Sequence, residues 1–179
     1  THQMTSNPIP PEIQKAGFVG KPAGPDVCIM DRQGNKLKIG SEGEVCIRGD
    51  SVTNGYENNE EANKSSFTNG WFRTGDQGFF DKDGYLKISG RLKEIINRGG
   101  EKVSPLEIDN VLMEHEAIEQ VVTFGVKDKL LGETIGVALV LKNGLQCTEI
   151  ELKEYARQHL ADFKIPKYIC FLEEIPKGA

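Results

Sequence analysis

The stretch Gly70–Asp76 (GWFRTGD) is the first of three places where residue type and spacing suggest chemistry. Gly75 predicts a tight turn that exposes the side chain of Asp76. An exposed carboxylate can accept two hydrogen bonds from a vicinal diol, such as the hydroxyls of a ribose. Taken alone, however, a Gly-Asp pair is more typical of ordinary turn chemistry than of a binding site.

A second candidate is Arg91, in the stretch GRLKEII at residues 90–96. Its guanidinium presents a rigid fork of donors for phosphate or ribose oxygens. Arg91 follows a predicted strand and precedes a change in the character of the chain, where a cleft between domains could form. The alternative is an ordinary surface arginine in a solvated run of charges.

The third candidate is the pair Gly99-Gly100 in the stretch NRGGEKV, which leads towards a predicted helix at Ser104. Paired glycines let a backbone approach a ligand closely and expose its N–H donors, which suits a phosphate or a narrow substrate chain. The stretch lacks the spacing of a P-loop. A simple β-turn is the competing interpretation.

Several other chemistries find no support in the sequence. The three histidines, at positions 2, 115 and 159, lie too far apart to form a metal-ligand pattern, and the G-x-S-x-G elbow of serine hydrolases is absent. A formal net charge of −5 disfavours binding to nucleic acid or to an anionic membrane. The four cysteines are too dispersed for a zinc motif, and we expect them to be small, buried and reduced side chains.

The elements that must position these candidates change character near residue 91. The first part alternates short apolar strands with turn sequences, among them Asp81–Gly84, and Asn58–Asn63 predicts a short helix or turn. The second part predicts the order helix, strand, strand, helix, strand, with capping boxes opening the helices at Ser104 and Thr148. We therefore expect an α+β protein, with a small, mainly β subdomain at residues 1–91 and a small α+β domain at residues 92–179.

Four stretches taken together resemble the adenylate-forming superfamily, which holds acyl-CoA synthetases, luciferases and peptide-synthetase adenylation domains. They are GWFRTGD, DKDGYLKISGRLKEIINRGGEKVSPLEID, GVKDKLLGETIGVALV and FKIPKYICFLEEIPKGA. The resemblance runs along nearly the whole chain. MTSNPIPP at residues 4–11 and the INRGGEKVSP stretch are most similar to oxalate–CoA ligases, with 4-coumarate–CoA ligase-like enzymes nearby.

The resemblance implies a two-step reaction with ATP, CoA and a small carboxylic acid. The acid first attacks the α-phosphate of ATP to give an acyl-adenylate and pyrophosphate, and the CoA thiol then displaces AMP. In the family, a small C-terminal domain rotates against a large N-terminal domain between these steps. Mg²⁺ is expected with the ATP, although the sequence identifies no ligand for it.

The resemblance also assigns roles to individual positions. Asp76 matches the aspartate that holds the ribose hydroxyls, and Arg91 matches the arginine on the ribose or its phosphate. Lys93 falls at the hinge, and Gly99 and Gly100 match the loop that lines the pantetheine tunnel. Lys102 falls near the adenylate phosphate, as the catalytic candidate, where relatives carry glutamine or arginine; Asn97 departs from the lysine of coumarate-type enzymes.

The residues near the start of the chain match the segment that follows the family's Thr-Glu motif and lines the acyl pocket. The polar side chains His2, Thr5, Ser6 and Asn7 suit a small dicarboxylate, such as oxalate, better than an aromatic acid. The family's phosphate-binding loop is missing, and its catalytic lysine is expected beyond Ala179, so Lys177 is not that lysine. We thus expect a C-terminal portion of a ligase that is inactive without the N-terminal domain.

Two alternatives stay open. The parent protein could instead be an adenylation domain that delivers its acyl group to a carrier protein, or a non-catalytic module that binds a nucleotide or a partner. The chain has no apolar stretch of the length needed to span a membrane and no apolar signal segment at its start. We expect a cytoplasmic or peroxisomal protein, and the sequence does not distinguish the two compartments.

Overall fold

A computed structural model describes residues 3–176 of the chain. The chain divides between Leu92 and Lys93 into two compact units, each with its own sheet. This division lies one residue after the boundary expected from the sequence. The α+β class predicted from the sequence is confirmed.

The first unit is built on a five-stranded antiparallel sheet. The central strand β6 (Trp71–Phe80) pairs along one edge with β4 (Gly43–Arg48), which in turn pairs with β3 (Asp26–Met30). Along its other edge, β6 pairs first with β5 (Phe67–Thr68) and then with β7 (Leu86–Arg91). β6 therefore carries hydrogen-bonded partners on both sides, which fixes the backbone around Asp76.

Shorter elements complete the first unit. Strands β1 (Thr5–Ser6) and β2 (Lys21–Pro22) form a separate two-stranded sheet. Of the helix or turn expected over Asn58–Asn63, the structure shows a helix, α1 (Glu60–Ser66), which begins and ends later than that range. Its N-cap residue Asn59 accepts a hydrogen bond from the backbone of Ala62.

The predicted turn at Asp81–Gly84 joins β6 and β7. Oδ1 of Asp81 accepts hydrogen bonds from the backbone N–H groups of Asp83 and Tyr85, both at 2.9 Å. Gly84 supplies the left-handed conformation, with φ at +79°. Lys15 pairs with Asp81 and also lies 2.6 Å from Asp83, so the turn anchors the segment that precedes β2.

The second unit is a five-stranded sheet covered by two helices. Its strand order is β10 (Ile118–Asp128), β11 (Gly132–Leu141), β8 (Ile96–Arg98) and β9 (Glu101–Val103), with β12 (Tyr168–Phe171) parallel to β11. Within residues 93–176 the helices are α2 (Pro105–Met113) and α3 (Glu149–His159), and a 3₁₀ turn spans Asp162–Lys164.

Alternate residues of β11 face the helices and form the core of the second unit. Ile135, Val137 and Leu139 pack with Leu112 of α2 and Leu152 of α3, and all five are at most 1% exposed. Every second side chain of the strand points to the same face of the sheet, and there it packs against the apolar face of each helix. This arrangement is typical of a sheet that is buried on one side.

The two predicted capping boxes have different outcomes. Thr148 forms one with Glu151: its hydroxyl accepts from the Glu151 N–H at 3.2 Å, and Oε2 of Glu151 accepts from the Thr148 N–H at 2.8 Å. The box predicted for Ser104 and Glu107 is wrong, since Ser104 makes no side-chain cap hydrogen bond. Glu107 instead binds Nζ of Lys164, at 2.6 and 2.7 Å, because the 3₁₀ turn brings that amine to the first turn of α2.

The structure corrects three further expectations. The element order for the second unit omitted the hairpin of β8 and β9, whose three-residue strands are too short to show a period. The connection expected over residues 127–133 is only 129–131, because β10 and β11 extend further. All four cysteines are free, but only Cys46 is buried; Cys170 is exposed because it lies on the outer face of β12.

Within residues 3–176, no helix has the length and apolar character needed to cross a membrane.

Candidate functional site

Asp76 is the last residue of a bulge in the middle of β6. Glu44 and Cys46 of β4 pair with Gln77 and Arg73 of β6, so one residue of β4 faces three of β6, the last of which is Asp76. Gly75, within this bulge, has φ at +77°. The predicted tight turn is therefore wrong: the glycine supplies a left-handed residue inside a strand that continues on both sides.

Hydrogen bonds that involve Thr74 and Gly75 fix the shape of the bulge. The hydroxyl of Thr74 donates to the carbonyl of Val45 at 2.8 Å and accepts from the N–H of Asp76 at 3.1 Å. The carbonyl of Gly75 accepts from the N–H of Leu92 at 2.9 Å. The bonds of Thr74 satisfy backbone groups on the β4 side, where the bulge interrupts the ladder, and the bond of Gly75 continues the pairing of β6 with β7.

Asp76 and Arg91 form an ion pair across β6 and β7. They are register partners, and Nε of Arg91 lies 2.9 Å from Oδ1 of Asp76. The Asp76 side chain is 15% exposed and that of Arg91 is 60% exposed. The expectation of a freely exposed Asp76 is thus wrong, because the arginine covers it. The pair offers a carboxylate acceptor beside an exposed set of guanidinium donors.

Gly99 and Gly100 form the two-residue turn of the β8–β9 hairpin. Both have positive φ, at +61° and +96°, and Arg98 pairs with Glu101 on either side of them. The N–H of Gly99 donates to the carbonyl of Leu131 at 2.8 Å, so this donor is already used within the second unit. A Cβ on Gly100 would meet nothing within 4 Å, which leaves that side of the turn open.

Lys102 and Lys93 are both exposed and lie in different local settings. Lys102 is on β9, where it pairs in register with Asn97 of β8. Lys93 lies in the turn that follows β7 and is the first residue of the second unit. The structure therefore brings Lys102 to the same hairpin as Gly99 and Gly100.

The residues predicted to line an acyl pocket are only partly described. Thr5 and Ser6 form β1, and His2 lies outside the described residues, as does Lys177. The side-chain amide of Asn7 donates to the carbonyl of Phe18 at 3.0 Å and accepts from the backbone N–H of Lys15 at 3.4 Å. Asn7 therefore closes the loop that follows β1.

Sequence reasoning missed Glu44 as a part of this site. Its carboxylate is buried beside the Asp76 bulge, where Oε1 accepts from the N–H of Gly75 at 3.0 Å. A glutamate at an inward position of a strand that is otherwise apolar, as in GEVCI, is the pattern that would have drawn attention to it.

In the part of the chain that the structure describes, no three His, Cys, Asp or Glu side chains are placed to hold a metal ion together. The Asp76–Arg91 pair places an acceptor suited to hydroxyl groups beside donors suited to phosphate oxygens.

Comparison with known proteins shows which class of enzyme this chain resembles. Residues 107–179 match the family model of the AMP-binding enzyme C-terminal domain. MatB from Rhodopseudomonas palustris, solved with ATP bound, superposes with a TM-score of 0.90 at 31% identity, over 98% of this chain and 35% of MatB. The o-succinylbenzoate CoA synthetase of Bacillus subtilis, solved with its acyl-adenylate intermediate, gives 0.83 at 35% identity, over 91% of this chain and 33% of that enzyme.

Curated relatives narrow the class further. The oxalate–CoA ligase of Saccharomyces cerevisiae is 50% identical over all of this chain and 33% of its own length. The oxalate–CoA ligase of Arabidopsis thaliana is 49% identical over all of this chain and 35% of its own. The chain belongs to the adenylate-forming superfamily, as its motifs indicated, and it spans about a third of the length of these relatives.

Proposed function

We propose that this chain is part of an ATP-dependent acid–CoA ligase. A carboxylate oxygen of the acid bonds to the α-phosphorus of ATP as pyrophosphate leaves, and the CoA sulfur then bonds to the acyl carbon as AMP leaves. The observation that carries the proposal is the Asp76–Arg91 ion pair at the bulge of β6. It is supported by the sequence identity of 50% and 49% between this chain and two oxalate–CoA ligases.

Each candidate residue takes one role in this proposal. Asp76 accepts hydrogen bonds from the ribose hydroxyls, and the exposed guanidinium of Arg91 donates to the ribose or its phosphate. Lys102 places its positive charge near the adenylate phosphate. The turn of Gly99 and Gly100 lines the path of the pantetheine chain.

Lys93 is the proposed hinge. It is the first residue after the division between the two units, where a change in one residue's backbone angles would turn one unit against the other. Such a rotation would let one protein perform both half-reactions. The partner in that motion is the N-terminal domain of the same enzyme.

The acid is proposed to be a small dicarboxylate such as oxalate. The support is the identity with the two oxalate–CoA ligases, together with the polar residues His2, Thr5, Ser6 and Asn7. The test measures thioester formation by the intact protein with oxalate, malonate and coumarate. We expect the highest kcat/KM with oxalate, and a preference for coumarate would overturn this choice.

A pyrophosphate-release assay separates the ligase from its two alternatives. A CoA ligase releases pyrophosphate with acid and ATP, and forms a thioester only when CoA is added. A carrier-dependent enzyme would release pyrophosphate but make no CoA thioester, and a non-catalytic module would bind AMP without releasing any. We expect this chain by itself to release none, since it spans a third of the length of its relatives.

A further inference from the structure

Glu44 and Arg73 form an ion pair inside the first unit, next to the Asp76 bulge. Oε2 of Glu44 accepts from Nε of Arg73 at 2.7 Å and lies 2.5 Å from its Nη2. The side chains are only 8% and 17% exposed. Arg73 also donates to the hydroxyl of Thr68 at 3.3 Å and to the carbonyl of Asp31 at 3.4 Å, so its orientation is fixed.

The second carboxylate oxygen of Glu44 reaches the bulge itself. Oε1 accepts from the N–H of Gly75 at 3.0 Å. In the bulge, Gly75 has no register partner on β4, so a side chain supplies the acceptor that its N–H lacks. One carboxylate thus joins a fixed arginine to the residue directly before Asp76.

We propose that Glu44 is a positioning residue for Asp76, acting through Gly75, and that it sets the affinity of the site for the ribose of AMP or ATP. The inference rests on the proposed function, in which Asp76 binds that ribose. Arg73 supports it by holding the glutamate and by balancing its buried charge. Neither side chain touches the nucleotide.

Removing Glu44 alone would leave the charge of Arg73 buried and risk unfolding, so the test uses paired replacements. E44L/R73M replaces the ion pair with apolar side chains and removes the acceptor for the Gly75 N–H. E44Q/R73Q is also uncharged but keeps a carbonyl oxygen in reach of that N–H. The two variants therefore differ in the one bond that the proposal requires.

The measurements are the Kd for AMP by calorimetry, the KM for ATP and for CoA, and the Tm, all on the intact protein. We expect E44L/R73M to raise the Kd for AMP and the KM for ATP at least about tenfold, while the KM for CoA stays within about twofold. E44Q/R73Q should restore most of the affinity. Folded variants that all bind AMP as the wild type does, or that all lose affinity equally, would overturn the proposal.

Lys15→Met is the matched control. It removes the ion pair with Asp81 at the opposite end of the β6–β7 pair, so it should lower the Tm and leave the Kd for AMP unchanged. Equal losses of AMP affinity in Lys15→Met and E44L/R73M would show that the effect is general destabilisation, against the proposal.

Amide hydrogen exchange over residues 74–76 gives a readout without nucleotide. E44L/R73M should speed exchange there and E44Q/R73Q should not, and identical exchange in both would overturn the positioning role. A wild-type protein that binds no AMP would defeat the proposed function, and the exchange data would still decide whether Glu44 holds the bulge.

Discussion

Asp76 and Arg91 are linked twice, by their register in neighbouring strands and by an Nε–Oδ1 contact of 2.9 Å. The backbone pairing of β6 and β7 fixes where the two side chains begin. The ion pair then fixes where the charged ends meet. An acceptor and a set of donors therefore lie together, which would reduce the ordering cost of the nucleotide binding that we propose.

Asp76→Asn should weaken nucleotide binding much more than it weakens folding. The ion pair is largely exposed on the arginine side, so its loss should cost at most about 1 kcal/mol of stability. Losing a charged acceptor for the ribose should raise the Kd for AMP about tenfold or more in calorimetry on the intact protein.

Asp83→Asn is the control for that experiment. Asp83 is an exposed aspartate in the turn that joins the same two strands, and we expect it to leave the Kd for AMP unchanged. Similar Kd values for Asp76→Asn and the wild type would contradict the role given to Asp76.

Thr148→Val should destabilise the second unit, because it removes the hydroxyl that caps the N-terminus of α3. The loss of an N-cap hydroxyl costs about 1 kcal/mol, and it should appear as a lower urea midpoint for unfolding. Thr148→Ser keeps the hydroxyl and should retain most of the stability. If the valine and serine variants unfold at the same midpoint, the capping box observed with Glu151 contributes little.

Asp128 should make stability depend on pH in acid. Lys167, first, and the backbone N–H groups of Leu130 and Leu131 lower the pKa of Asp128 from 3.8 to about 2. Because the folded pKa lies below the unfolded one, this stabilisation is complete above about pH 5 and is lost as the pH falls through 2.

Asp128→Asn removes the titrating group and the ion pair with Lys167, and so tests that dependence. The Tm of the variant should lie below that of the wild type at pH 6, and the two should converge only below about pH 2. A constant difference between the two Tm values across that range would show that Asp128 does not titrate with a lowered pKa.

Cys46 should resist alkylation in the folded protein. Burial raises the pKa of its thiol to about 12, with a smaller contribution from the nearby Glu44 carboxylate, so almost no thiolate exists at neutral pH. Iodoacetamide labelling followed by peptide mass spectrometry should find Cys46 unmodified until denaturant is added. Labelling of Cys46 at the rate of a free thiol in the folded protein would contradict its burial.

Local sequence patterns correctly predicted the elements that depend on interactions between residues close together in the chain. The capping box at Thr148 and the turn at Asp81–Gly84 each depend on neighbours in sequence, and the structure reproduces both. The superfamily also followed from the sequence, because its motifs are contiguous stretches of the chain.

The predictions that were wrong concern residues whose partners lie far away in the sequence. Gly75 was expected in a turn, and Glu107 was expected to cap α2. The first is decided by β4, where Glu44 lies 31 positions away, and the second by Lys164, 57 positions away. No local pattern reports partners at such separations.

The sequence by itself thus determined the superfamily, the fold class and the residue types of the candidate site. Only the tertiary structure decided that Asp76 is covered by Arg91, that the Gly99 N–H is used by Leu131, and that Glu44 reaches the bulge. The physical reason is that residue type fixes what a side chain can bond. Strand register and packing decide which of its possible partners lies within about 3 Å.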